Sequence, residues 1–172
     1  SVIKAFTLYT CAMRIHIGTD HAGFEVSGNI QQRLRDQGFQ VVDHGPTSLD
    51  PDDDYPRFCI QTARGVVSDL ERGTRALGIV LGGTGNGEQI AANKVRGARA
   101  ALVWSKETAV LARQHNDANI CSVGARQHSC DDLFSLVEAF LGATFSGETR
   151  HARRIGQITD FEIESSVPSA NN

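Results

Sequence analysis

Leu77-Gly78-Ile79-Val80-Leu81-Gly82-Gly83-Thr84-Gly85-Asn86-Gly87-Glu88-Gln89-Ile90-Ala91-Ala92-Asn93 is the stretch on which the reading of this chain turns. Leu77 to Leu81 is a short apolar run, the pattern of a strand buried on both faces. Gln89 to Asn93 reads as the opening turns of a helix. Between them the glycines at 82, 83, 85 and 87 let backbone approach a ligand closely and take positive φ where a turn needs it. A helix that starts there leaves N–H groups unpaired and facing any anion in the turn. Glu88 sits at the mouth of the turn, so a carboxylate lies beside an anion hole. That combination can move a proton next to a carbonyl. It is not a phosphate-binding P-loop, which needs Lys after its last glycine, nor the GxGxxG of dinucleotide folds. The plain alternative is a tight strand-to-helix turn; the glycine density and the adjoining Glu favour anion binding.

The same unit recurs on both sides. Arg14 to Gly18 is predicted as a first strand, followed by a loop from Thr19 to Gly23 and a helix marked by Val26, Ile30 and Leu34 that stops at Gly38. Gln40 to Asp43 is strand two. His44 to Pro56 is a polar loop with prolines at 46, 51 and 56 and the run Asp52-Asp53-Asp54. Phe58, Ala63, Val66 and Val67 mark a second helix, ending before a charged turn from Asp69 to Arg75. After the glycine turn come strand four (Ala98 to Val103), a helix (Lys106 to Asp117) and strand five (Ile120 to Val123). A helix capped by Asp131 follows, with Leu133, Leu136, Val137 and Phe140 on its inner face. The basic segment from Arg150 to Arg154 leads into a last helix with Ile155, Ile158 and Glu162 on one side. Strands alternating with helices at this spacing build βαβ units on an open parallel sheet. Ligands in such sheets bind beyond the carboxyl ends of the strands, where Asp20-His21, the glycine turn and Arg126 all fall.

A chain of 172 residues is expected to form a single domain over 13–164, with 1–12 an extension or leader outside the fold and 165–172 a flexible tail. Residues 1–12 lack the apolar run of a signal peptide. A net charge of −3 argues against a nucleic-acid surface, and no apolar run is long enough for a membrane span. The cysteines at 11, 59, 121 and 130 form no CxxC pair, which points to reduced thiols in a cytoplasmic protein rather than a disulfide framework or zinc site.

Taken singly, the polar candidates divide. Asp20-His21 reads equally as a sugar-contacting pair or as a helix-capping Asp beside an exposed His. His115-Asn116 reads first as a His favoured at a helix C-terminus, and second as a titrating group able to open a sugar ring. Arg150 and Arg154 share a helix face and suit phosphate oxygens, though a solvated surface is the usual meaning of a charge run. The aspartate run fits no calcium-loop spacing and reads as solvated; no metal site is expected.

Together these pieces change weight. Gly18-Thr19-Asp20-His21-Ala22-Gly23, Gly82 to Glu88 with Ile90 to Lys94, Arg113-Gln114-His115-Asn116 and Arg150-His151-Ala152-Arg153-Arg154 resemble the ribose-5-phosphate isomerase B family, whose wider group acts also on galactose and allose 6-phosphates. The resemblance runs from about Met13 to Glu162. It implies a Rossmann-like, three-layer α/β/α sandwich with a five-stranded parallel sheet and a C-terminal helix. It implies a cofactor-independent aldose–ketose isomerase of the pentose phosphate pathway, a homodimer or homotetramer with its site shared between subunits. Asp20 and His21 would contact the sugar, and the N–H groups of Gly83, Thr84, Gly85, Asn86 and Gly87 would hold an enediolate. Asn116, Arg126, Arg150 and Arg154 would complete substrate and phosphate binding, and His115 would assist ring opening. Many members carry a cysteine base where this chain has Gly82; here Glu88 would serve, as in a glutamate-using branch. The competing readings are an isomerase of another sugar phosphate (tetrose, allose or galactose) and a non-catalytic sugar-phosphate-binding module. The turn from Asp69 to Arg75 looks like an insertion that only lengthens a loop.

Overall fold

The computed structural model describes residues 13–169, so the expectations for 1–12 and for the last three residues lie outside the described residues. Five strands alternate with six helices: β1 (Arg14–Thr19), α1 (Phe24–Asp36), β2 (Gln40–Asp43), α2 (Tyr55–Glu71), β3 (Ala76–Gly82), α3 (Asn86–Ala92), β4 (Ala100–Leu102), α4 (Lys106–Asn116), β5 (Ile120–Gly124), α5 (Cys130–Gly142) and α6 (Thr149–Glu164). All pairings are parallel, in the order β2-β1-β3-β5-β4. This is the expected α/β architecture.

The alternation of side chains along each strand sorts the core into two layers. Leu77, Ile79 and Leu81 of β3 pack with Ile15, Ile17, Cys121 and Val123 under α1, α4 and α5. Val80 and Ile120 point the other way, into Cys59, Ala63 and Val66 of α2 and Ala91 and Ala92 of α3. Strand β3 is central, with all seven residues buried, which accounts for its uninterrupted apolar run. The α4 N-terminus is held by a reciprocal pair: Thr108 N–H donates to Ser105 Oγ and Ser105 N–H to Thr108 Oγ1, both 3.1 Å.

Several boundaries differ from the sequence reading. Helix α2 starts at Tyr55 with Pro56 in its first turn, where a missing N–H costs nothing, so the preceding loop is shorter than expected. Helix α3 starts at Asn86, placing Glu88 inside its first turn. Strand β4 is only three residues long. The cap of α5 is Ser129, whose Oγ accepts from Asp132 N–H at 3.1 Å; Asp131 lies inside the helix.

The largest correction concerns Asp69. It belongs to α2, not to a solvated turn, and is 1% exposed. Its carboxylate accepts from Arg14 Nη1 (3.1 and 3.2 Å), from Arg72 Nη2 (2.6 Å) and from His16 Nε2 (2.9 Å), and His16 Nδ1 in turn lies 2.8 Å from His44 Nε2. Neutral rings satisfy the chain if His16 and His44 each carry their proton on Nε2. Burial raises the Asp69 pKa, but its bonds to His16, Arg72 and Arg14 together outweigh this and hold it at about 2. Burial likewise lowers His16 and His44. All three folded pKa values lie below their unfolded ones, so the network stabilises fully above about pH 6.5. The histidine share is lost as pH falls through their lowered values, and the Asp69 share as it falls toward 2. Replacing Asp69 with Asn is expected to cost about 2–4 kcal/mol at pH 7. Thermal unfolding at pH 7 would read this as a fall of about 10 °C; an unchanged midpoint would show the network to be neutral.

Candidate active site

The carboxyl ends of β1 and β3 lie side by side, with Thr19 opposite Leu81. From there the chain leaves in opposite directions: α1 packs on one face of the sheet and α3 on the other. The strand order reverses between these two segments, and at such a switch point open α/β sheets bind ligands in a crevice beyond the carboxyl ends. Thr19 Oγ1 donates to Leu81 O at 3.0 Å and fastens the two strand ends together.

Into this crevice the structure brings Asp20, His21, the glycine turn, Glu88 and Arg126. Asp20 is buried, and its Oδ1 accepts from Ala22 N–H at 2.9 Å. It therefore caps the short turn at His21–Gly23. His21 is not merely exposed: its backbone N–H and its Nδ1 both lie 2.8 Å from Asp53 Oδ1. On the β5 side, Ala125 and Arg126 donate backbone N–H groups to the Gly82 and Gly83 carbonyls at 2.7 and 3.1 Å. The Arg126 side chain lies over Gly83, with Nη1 3.6 Å from where a Cβ of residue 83 would be.

The turn itself is shaped by what its glycines admit. Gly85 takes φ +83°, and a Cβ there would come within 2.8 Å of Leu102 Cδ1. Ser122 Oγ donates to Gly85 O at 2.6 Å, tying the turn to β5. Gly87 lies under the ring of Tyr55, and Thr84 and Asn86 are exposed. At Gly82 a Cβ would overlap the Glu88 carboxylate. The carboxylate thus occupies the volume a side chain at 82 would fill, which explains why the strand ends in glycine.

Glu88 is 4% exposed. Burial raises its pKa and the Asp20 charge adds to the rise, while the N–H groups of Glu88 and Gly85 oppose it. A carboxylate so placed is a stronger base than one in water. Cys59 lies close enough to feel Glu88 and Asp20; burial first, then both carboxylates, push its thiol far up, so it stays protonated. Of the described residues, Asp20, His21 and Asp53 are the group that could hold a cation, their ligand atoms lying within 4.8 Å of one another. His21 Nδ1 and Asp53 Oδ1 are bonded to each other there.

The remaining candidates lie elsewhere. His115 and Asn116 end α4, and Arg150 and Arg154 lie in the first turns of α6, which adjoins the end of α4. Ser146 N–H donates to Gln114 O at 3.0 Å, and the His115 and His151 rings stack with centroids 4.3 Å apart. Because α4 runs back from β4 to the start of β5, this second group stands at the amino ends of the strands, opposite the glycine turn. Burial lowers the His151 pKa, with His115 and Arg150 adding to the effect.

Three contributors escaped the sequence reading: Asp53, Tyr55 and Ser122. A signal existed for Tyr55, since Asp54-Tyr55-Pro56 carries the proline of a helix start. Asp53 looked like one of three solvated aspartates, and only the tertiary fold singles it out.

A family model described as Ribose/Galactose Isomerase matches residues 15–158. Among curated proteins, the chain is 49% identical over 156 residues to ribose-5-phosphate isomerase B of Mycolicibacterium paratuberculosis, covering 91% of this chain and 96% of that protein. It is 38% identical over 149 residues to ribose-5-phosphate isomerase B of Escherichia coli, covering 87% and 96%. Among solved structures, ribose-5-phosphate isomerase B of Mycoplasma genitalium with bound ribulose-5-phosphate superposes with a TM-score of 0.82 at 40% identity, covering 89% of this chain and 98% of that one.

Proposed function

This chain belongs to the ribose/galactose isomerase family, and on that footing we propose that it interconverts ribose 5-phosphate and ribulose 5-phosphate with Glu88 as the base. The observation that carries the assignment of the base is the buried Glu88 carboxylate filling the side-chain volume of Gly82 at the head of the glycine turn. In the open-chain aldose, Glu88 takes the C2 proton. The C2–H pair becomes the C1–C2 double bond, and the carbonyl pair moves onto O1. The N–H groups of the turn from Gly83 to Gly87 stabilise that oxyanion. A proton passes from O2 to O1, the O2 carbonyl forms, and C1 takes the proton back from Glu88, giving the ketose. The atoms balance without an oxidant or a metal.

Asp20 and His21 contact the sugar hydroxyls in this reading, with Arg126 across the turn. His115 donates the proton for ring opening, and Asn116, Arg150 and Arg154 take the distal hydroxyls and the phosphate. Those last four come from a second copy of the chain in this reading, because their own chain holds them at the amino ends of the strands, opposite the glycine turn. An adhesive surface is available: Trp104 and Ile158 are 62% and 51% exposed beside a cleft of about 630 Å³ that runs along β4 to Asn116. Large exposed apolar groups around such a cleft suit a homodimer. Buried free thiols at Cys59 and Cys121 suit a cytoplasmic setting.

Steady-state isomerisation across four-, five- and six-carbon sugar phosphates, with no metal added, tests the substrate. The highest kcat/KM is expected for ribose 5-phosphate. A clear preference for another sugar phosphate would keep the chemistry and change the substrate, and no turnover of any would leave only a binding module.

A further inference from the structure

The loop between β2 and α2 reaches back to the catalytic crevice through one residue. The Asp53 side chain is 10% exposed, whereas Asp52 and Asp54 beside it are exposed. Its Oδ1 is held by the His21 backbone N–H and meets Nδ1 of the same residue, each at 2.8 Å. Its Oδ2 is buried and has no protein donor among the described residues. Leaving a carboxylate oxygen buried and unpartnered is costly. A loop tether alone does not need it, since Asn would accept the same two bonds. The charge therefore has a use, and among the described residues the ring it bonds is that of His21.

A carboxylate can only accept, so Nδ1 of His21 must carry a proton. The nitrogen left for a ligand is Nε2, on the far side of a ring that stays 31% exposed. We propose that Asp53 is a positioning residue of the sugar site: it fixes the His21 ring with Nδ1 protonated and Nε2 presented to a sugar oxygen. This rests on the reading of His21 as a sugar contact. The charged groups facing the ring are Asp53 and Asp20. The Asp53 hydrogen bond raises the His21 pKa most, burial opposes it, and the Asp20 charge adds to the rise. His21 consequently offers Nε2–H as a donor over a wider pH range than a free imidazole.

Nitrogen-edited NMR of the His21 ring tests this on free enzyme. In the parent protein the neutral ring should carry its proton on Nδ1 and titrate above an ordinary histidine. In Asp53→Asn the titration should fall back toward the ordinary range, and kcat/KM should drop about 10- to 100-fold. Asp53→Glu should restore part of both. In a His21→Ala background, Asp53→Asn should change kcat/KM by less than about twofold, as for residues acting through one another. A parent ring protonated on Nε2 when neutral would overturn the proposal, as would an Asp53→Asn enzyme with unmoved His21 titration. So would an equal loss in both backgrounds. The NMR arm needs no substrate, so failure of the isomerase reading and failure of the Asp53–His21 pairing register separately.

Discussion

Glu88→Gln is expected to lower kcat for ribose 5-phosphate about a thousandfold while leaving the fold intact. Gln matches Glu in size and would fill the same volume beside Gly82, so neither α3 nor the turn has reason to move. Stability should be unchanged or slightly higher. Burial opposes the charged form of Glu88, and the amide removes a charge that the site keeps for chemistry. In the proposed mechanism, what is lost is the acceptor of the C2 proton. The Cys59 thiol close by cannot stand in, because burial and the neighbouring carboxylates hold it protonated. The variant should accordingly fail to exchange solvent deuterium into C1 or C2. In the parent enzyme the base must be ionised. Because the Glu88 pKa is raised, the acid limb of kcat/KM should lie above the ordinary carboxylate range, with activity falling as pH drops through it. Near-normal turnover by Glu88→Gln would remove it as the base.

The parts of this protein that could be read from the chain are those carried by local pattern. β3 announces itself because all its positions face protein, and Ile30 with Leu34 because a helix that covers a sheet repeats its apolar face. The glycine turn was legible because few functions other than close backbone approach require such residues. What could not be read depends on partners distant in sequence. Asp69 looks like a turn residue until His16, 53 positions away, is placed against it. Asp53 looks solvated until the loop folds over His21, 32 positions away. The start of α3 differs for a local reason: Asn86-Gly87 is a common turn pair, and here Gly85 in the left-handed region lets the helix begin at Asn86, three residues before Gln89. The motifs with Asn116 and Arg150 were found as residues, but their distance from Glu88 is a property of the sheet.

That distance sets the second large effect. β3 has seven residues, so the carboxyl and amino ends of the strands are separated by about 20 Å, longer than a five-carbon sugar phosphate. On the proposed reading, Glu88 of one chain therefore shares a substrate with Arg150 and Arg154 of a second copy. In a two-fold dimer each crevice would receive the partner's α6, and each dimer would hold two such composite sites. Glu88→Gln and the double variant Arg150→Ala, Arg154→Ala should each be nearly inactive as homodimers. Co-expressed under different tags and isolated as heterodimers, they should recover about half the parental kcat per dimer. One site then joins an intact Glu88 to intact arginines, while the other carries both lesions. If all site residues came from a single chain, the heterodimer would contain two singly damaged sites and stay as inactive as its parents. Recovery in the mixed dimer and not in either parent is therefore an outcome that only a shared site produces.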